Sequence, residues 1–199
     1  MPAHLPDVLA DSTLRQADVI CFQETWCRRS DATPMIPGYT PYFAGEGKGR
    51  GVATFIKNHL VQKKTLLKVK ALEKEEFQGL KLYFPDMHIL NIYRPPSQAS
   101  ASLDNFVKAV KENIDSNKQT IVCGDLNFNF LREGNHRVAT LLKSLGFKQI
   151  VQEPTTIYGS CLDHIYLRTK FMHKHRLYHP YYSDHECVCL MLKKPILTH

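Results

Sequence analysis

The chain has 199 residues, 43% of them hydrophobic and 23% charged, with 26 Lys and Arg against 19 Asp and Glu and a formal net charge of +7. This fits one globular domain with a sizeable core, and no apolar run is long enough to cross a bilayer. Met1 to Asp7 show no signal pattern, so the expectation is a soluble, intracellular protein without a membrane partner, whose basic excess suits a polyanion.

Leu5 to Gln16 reads as a helix with Leu5, Val8, Leu9 and Leu14 on one side. Asp18 to Gln23 follows as a buried strand, and Gly51 to Ile56 as another. Phe77 to Phe84 and Met87 to Tyr93 predict a hairpin around Pro85-Asp86. Ser102 to Ile114 is a helix capped by Ser102, with Leu103, Phe106, Val107, Val110 and Ile114 as its apolar stripe. Thr120 to Gly124 is a strand that ends abruptly, and Asn135 to Leu145 is a second helix closed by Gly146. Leu162 to Leu167 and Glu186 to Leu192 finish the chain as strands. Lys57, Lys63, Lys64, Lys68 and Lys70 read as an exposed face. The alternation points to a mixed α/β domain over residues 1–199. Cys21, Cys27, Cys123, Cys161, Cys187 and Cys189 include no CxxC pair and mostly sit in apolar runs, as reduced core thiols rather than zinc ligands do.

Four strand ends carry polar residues that a core has no use for. Gln23-Glu24-Thr25 places a carboxylate, a hard-cation ligand, directly after an apolar run. Tyr93-Arg94-Pro95-Pro96 closes the hairpin; the phenol could bond a phosphate oxygen or simply pack, and Arg94 could supply charge. In Gly124-Asp125-Leu126-Asn127, the residues Asp125 and Asn127 share a face, pairing a base with an amide donor; an Asx turn is the competing reading. Ser183-Asp184-His185 opens the last strand, and Asp163 could hold its histidine charged.

Taken in order, Gln23-Glu24-Thr25, Tyr93-Arg94-Pro95-Pro96, Gly124-Asp125-Leu126-Asn127, Leu162-Asp163-His164-Ile165 and Ser183-Asp184-His185 resemble the endonuclease/exonuclease/phosphatase superfamily. The resemblance runs from about Asp18 to Leu192 and implies a DNase-I-like four-layer α/β sandwich, two packed mixed sheets flanked by helices, with the site at one rim. It implies Mg²⁺, or Mn²⁺ in its place, bound by Glu24 with Asp184 as a further metal-linked carboxylate. It also implies Tyr93 on the scissile phosphate, Asp125 activating water, Asn127 stabilising the transition state, and Asp163 orienting His185. Tyr93-Arg94-Pro95-Pro96, Glu153-Pro154-Thr155-Thr156 and Ser160 to Ile165 look most like apurinic and non-LTR retrotransposon endonucleases. That reading implies a monomeric intracellular enzyme, with the nucleus as a candidate location and DNA as partner. Arg94, Lys48 and Arg50 of the glycine-rich Gly45 to Gly51 loop, and Lys174 and Arg176 of a late basic stretch are the substrate-binding candidates. A plain hairpin loop is the competing reading for the first, and a solvated connector for the second.

Family members open with a strand ending in Asn, ahead of the helix that is Leu5 to Gln16 here, and only Met1 to His4 precede it. The expectation is therefore an N-terminally truncated domain lacking its first strand. Two other readings stand beside the endonuclease: a catalytically impaired DNA-binding remnant, and a phosphomonoesterase on a small inositol-type substrate.

Overall fold

The computed structural model describes residues 4–28, 30, 32–63, 65–74, 76–96, 101–132 and 137–194. Lys64, Asn135 and the side chain of the expected cap Ser102 lie outside the described residues. In chain order the elements are α1 (Leu5–Ala10), a 3₁₀ turn (Leu14–Gln16), β1 (Val19–Gln23), β2 (Tyr39–Ala44), β3 (Val52–Lys57) and α2 (Asn58–Gln62). There follow β4 (Lys68–Glu73), β5 (Gln78–Tyr83), β6 (Met87–Tyr93), α3 (Ala101–Glu112), β7 (Gln119–Asp125) and α4 (Arg137–Ser144). The last strands are β8 (Lys148–Gln149), β9 (Asp163–Arg168), β10 (Met172–Tyr178) and β11 (Cys187–Lys193).

The most apolar runs form the middle of a six-stranded sheet ordered β4-β5-β6-β7-β9-β8, in which only β6 and β7 are parallel. A three-stranded sheet, β1-β3-β2, and a two-stranded ribbon, β10-β11, are both antiparallel. The stripe of α3 (Phe106, Val110) and that of α4 (Val138, Leu142) bury against Leu90, Ile92, Val122 and Tyr166 on one face of the large sheet. Its other face, through Leu82, Ile89, Ile121 and Ile165, packs on Ile56, Val19 and the ribbon's Val188, Leu190 and Leu192. Val8 of α1 covers Ile20 and Phe55 from outside. Helix, sheet, sheet and helix thus make the expected layers.

Three expectations change. The first helix stops at Ala10 instead of Gln16, because Asp11 is extended (φ −72°, ψ 97°) and its carboxylate accepts bonds from Leu14 N (2.9 Å) and the Tyr178 and Tyr182 hydroxyls (2.9 and 3.1 Å). A side chain that satisfies the backbone locally competes with the helix. The late basic stretch is a strand, β10, paired along its length with β11. Lys68 and Lys70 do face solvent, but from an edge strand, where lysines discourage further pairing.

Among the described residues no strand stands ahead of α1, and β1 and β11 each pair along one edge only. All six cysteines are free thiols, Cys161 buried and the others half-buried.

Candidate active site

The site is built where the ends of β1, β6 and β7 meet the starts of β9 and β11. Asp125 and Asp163 are direct cross-strand partners. His185 Nδ1 lies 2.8 Å from Asp163 Oδ2, and the Tyr93 hydroxyl donates to Glu24 Oε1 at 2.5 Å. The backbone N–H of Arg94 donates to the Asp125 carbonyl (3.0 Å), which ties the β6 end to the β7 end.

Gly124 makes this convergence possible. Its φ is +138°, and a β-carbon there would run into the Ile92 carbonyl, so only glycine lets β7 close on β6 at this point. Asp125 follows, only 5% exposed. Its Oδ1 accepts the Asn127 backbone N–H (2.8 Å) and its Oδ2 the Asn127 side-chain amide (3.0 Å). The Asx turn and the acid–amide pair are therefore one structure, with Asn127 left-handed at φ 49°. The second bond of the Asn127 amide goes to the Arg94 carbonyl (3.0 Å), so this side chain holds Asp125 in place.

Burial, then the negative charge of Asp163, pushes the Asp125 carboxyl up to about 7, against the Asn127 backbone N–H and nearby His185. His185 is held in its charged form, at about 9, by its bond to Asp163, which outweighs burial; Asp125 and Asp184 add to the effect. Burial and the bond to Glu24 raise the Tyr93 phenol, which keeps its proton. The two Asp-His dipeptides part company here. His164 is fully buried, its Nε2 3.0 Å from the Phe128 carbonyl and its Nδ1 2.8 Å from the Gln149 amide. Burial lowers it to about 4, so it stays neutral and pins the loop after Asn127.

Glu24, Tyr93, Asp125, Asn127, Asp163 and His185 are brought together. Asp184 is exposed beside them, its backbone carbonyl accepting Ile157 N (3.0 Å). Arg94 is not set to meet a substrate: it is 4% exposed and its guanidinium donates to the carbonyls of Leu126 (3.1 Å) and Asn127 (3.5 Å), bracing the Asp125 turn. Arg50 lies close enough to Tyr93 to favour its ionisation slightly, and Lys48 is exposed on the same loop, which does join β2 to β3 as a hairpin. Lys174 and Arg176 stand apart, opposite Met191 and Cys189 on β10. At about 3.3 Å per residue, Lys174 is roughly 13 Å along the ribbon from Cys187.

Thr155 is a residue the sequence reading missed. It is fully buried, its Oγ1 accepts the backbone N–H groups of Leu162 (3.0 Å) and Asp163 (3.1 Å), and its carbonyl accepts Glu186 N (2.8 Å). One threonine thus locks the strand starts that carry Asp163 and His185. A second is Asn91, buried on β6, whose side chain bonds Gln23 Nε2 (2.6 Å) and the Ala53 carbonyl (3.0 Å) and so stitches the two sheets below Glu24.

Among the described residues, no three His, Cys, Asp or Glu side chains form a closed metal cage. The donor set nevertheless fits a hard divalent cation. Burial first, then the charge of Asp163 and, least, that of Glu24 drive Asp125 toward neutrality, and an ion that takes a few carboxylate oxygens and keeps several waters would relieve the repulsive part.

Residues 2–185 match the model of the endonuclease/exonuclease/phosphatase family. The chain belongs to that family. Recombination repair protein 1 of Drosophila melanogaster is 23% identical over 158 residues, 72% of this chain, and the chain spans 22% of that protein's length. The fold of this family member resembles an AP endonuclease from Archaeoglobus fulgidus (TM-score 0.70, 16% identity, 97% and 95% of the two chains covered). It also resembles the endonuclease domain of TRAS1, a telomere-specific non-LTR retrotransposon (0.62, 14%, 92% and 88%). A third is the 3′ phosphatase NExo from Neisseria bound to product DNA hairpin (0.72, 13%, 96% and 95%). At these identities the likeness is one of fold, and it agrees with the layered α/β sandwich.

Proposed function

We propose that this family member is a Mg²⁺-dependent phosphodiesterase that nicks DNA, in the manner of an apurinic or retroelement endonuclease. The observation that carries this reading is the convergence of Glu24, Tyr93, Asp125, Asn127, Asp163 and His185 on one rim. Asp125, ionised above about 7, takes the proton of an attacking water. His185, kept protonated by Asp163, donates from Nε2 to a phosphoryl oxygen, and the Tyr93 phenol, whose single proton goes to Glu24 here, turns it to the phosphate once an ion takes up Glu24. Asn127 and Arg94 hold the base in register. Glu24, with Asp184 as a further carboxylate, would hold the divalent ion, which would neutralise charge growing on the phosphate. Lys48 and Arg50 contact backbone phosphates beside the reacting centre, and Lys174 and Arg176 contact phosphates farther along the ribbon.

Nicking of supercoiled plasmid with and without Mg²⁺ tests the reading. The Asp125→Ala variant is expected to lose about 10²- to 10⁴-fold in rate with its fold intact, as loss of a positioned base does. Equal nicking by both proteins overturns it.

A second reading, an impaired DNA-binding remnant, is favoured by the unpaired edges of β1 and β11 and by the bond that ties Glu24 to Tyr93. It predicts salt-sensitive DNA binding indifferent to Mg²⁺ and to Asp125→Ala. Turnover of small phosphomonoesters without nicking selects a phosphatase instead.

A further inference from the structure

Trp26 is the chain's single tryptophan, two residues past Glu24, and the functional reading gives it no task. The residue is 46% exposed and belongs to none of the apolar core clusters. An aromatic of this size normally supplies core or interface area. Its backbone, by contrast, is tightly held. Thr25 N donates to the Gly51 carbonyl (3.2 Å), Trp26 N to the Arg50 carbonyl (3.0 Å), and Gly47 N to the Cys27 carbonyl (3.4 Å), so this segment is zipped to the glycine-rich loop. Glu24 and Trp26 both adopt left-handed backbone (φ 48° and 56°), around a Thr25 that is 1% exposed. Side-chain-bearing residues rarely take that conformation, and it persists only where the surroundings enforce it. A fixed backbone therefore presents an indole outward instead of folding it in.

The placement of neighbouring charge points the same way. Lys48 Nζ lies over the indole, 6.0 Å from the ring centroid. Gly49, on the same loop, accepts a bond from the Tyr93 hydroxyl (3.1 Å), which also donates to Glu24. A cation and a residue that touches the reacting centre thus share one loop, and the flat aromatic face is zipped to that loop. A π-face flanked by Lys is the combination that takes a nucleobase together with its phosphate.

We propose that Trp26 is a stacking platform for the base of an unpaired nucleotide beside the scissile phosphate, with Lys48 on that nucleotide's phosphate. The inference rests on the reading of this rim as a DNA site. It makes unstacked positions such as single-stranded ends, mismatches or gaps the preferred substrate, because a base inside a continuous duplex has no free face to offer.

The single tryptophan allows a direct test. In buffer with EDTA, the fluorescence of the full chain is titrated with a short single-stranded oligonucleotide, with a strand of equal length lacking bases, and with inorganic polyphosphate. Base-bearing DNA is expected to quench Trp26 and the two other probes to leave it nearly unchanged. Trp26→Ala should weaken binding of the base-bearing strand about tenfold or more, as loss of one stacked base does, while Trp26→Phe restores most of it. Equal quenching by the strand without bases, or unchanged affinity in a folded Trp26→Ala, overturns the proposal. Because binding is read without turnover, a chain that fails to nick plasmid but shows base-dependent quenching loses the hydrolytic reading and keeps this one.

Discussion

Two strands flank the chemistry, β7, which ends in Asp125, and β11, which starts two residues after His185; β11 is the more apolar, and the fold treats them very differently. β7 is paired on both edges, with β6 and β9, and Ile121 and Val122 are 5% and 1% exposed. β11 reads Cys187 to Leu192 without a polar residue, yet among the described residues it pairs only with β10, none of it is buried, and Met191 is 53% exposed. A strand apolar on both faces is the pattern of a sheet interior. The difference teaches that burial of such a strand comes from neighbours on both edges and both faces, not from its own composition. It also separates the two halves of the chemistry: Asp125 rests on a rigid interior strand, whereas His185 is held in place chiefly by Asp163 and, through Glu186, by Thr155.

The sharpest way to break this comparison is at the β7 end. Gly124→Ala is expected to cost about 3 kcal/mol or more, since the added methyl collides with the Ile92 carbonyl at a φ that disfavours it; a chemical melt within about 1 kcal/mol of the parent would refute the close approach. Next, Val122→Ala should destabilise by about 2 kcal/mol, and Val188→Ala, on the half-exposed ribbon, by under about 1 kcal/mol. Equal losses in urea melts would mean that β11 is as well packed as β7.

A third prediction concerns pH. His185 is raised from 6.5 to about 9, so its contribution to stability is complete below 6.5 and lost as pH rises through about 9. Asp125 is raised from 3.8 to about 7, so folding favours its neutral form and stability falls as pH rises through about 7. Both act in one direction, and thermal melts without added metal should show Tm falling from pH 5 to 9. Asp125→Asn should flatten the lower part of that fall only; an unchanged profile would contradict the burial of this carboxyl. The smallest effect is expected on the ribbon's outer strand. Removing Lys174 and Arg176 together should lower the salt slope of DNA binding by about 2 with little change in turnover, because both stand away from the reacting centre.

Much of the site was legible because its signals are local. An apolar run that stops at Gly124-Asp125-Leu126-Asn127, or one that starts after Ser183-Asp184-His185, marks polar groups at strand ends without any tertiary knowledge. The hairpin over Phe77 to Tyr93 and the stripe of Leu103, Phe106, Val107, Val110 and Ile114 were legible for the same reason, since periodicity is a property of neighbours in the chain. What escaped depends on partners far away. Arg94 looks like a phosphate ligand until the carbonyls of Leu126 and Asn127 close around it. Lys170 to Arg176 looks like a connector because β10 has no apolar alternation, and only Cys187 to Lys193 makes it a strand. Thr155 lies in a segment that resembles the family, but its bracing role depends on Leu162, Asp163 and Glu186, and Trp26 carries no motif of its own.

Sequence by itself determined the family, the sandwich and the residue types at the rim, because each rests on apolar spacing and short motifs that survive without coordinates. Tertiary structure alone decided which histidine is charged and which arginine is spent on the backbone. It alone turned the indole outward. Those outcomes follow from desolvation and hydrogen-bond partners contributed by strands distant in the chain, quantities that no local pattern contains.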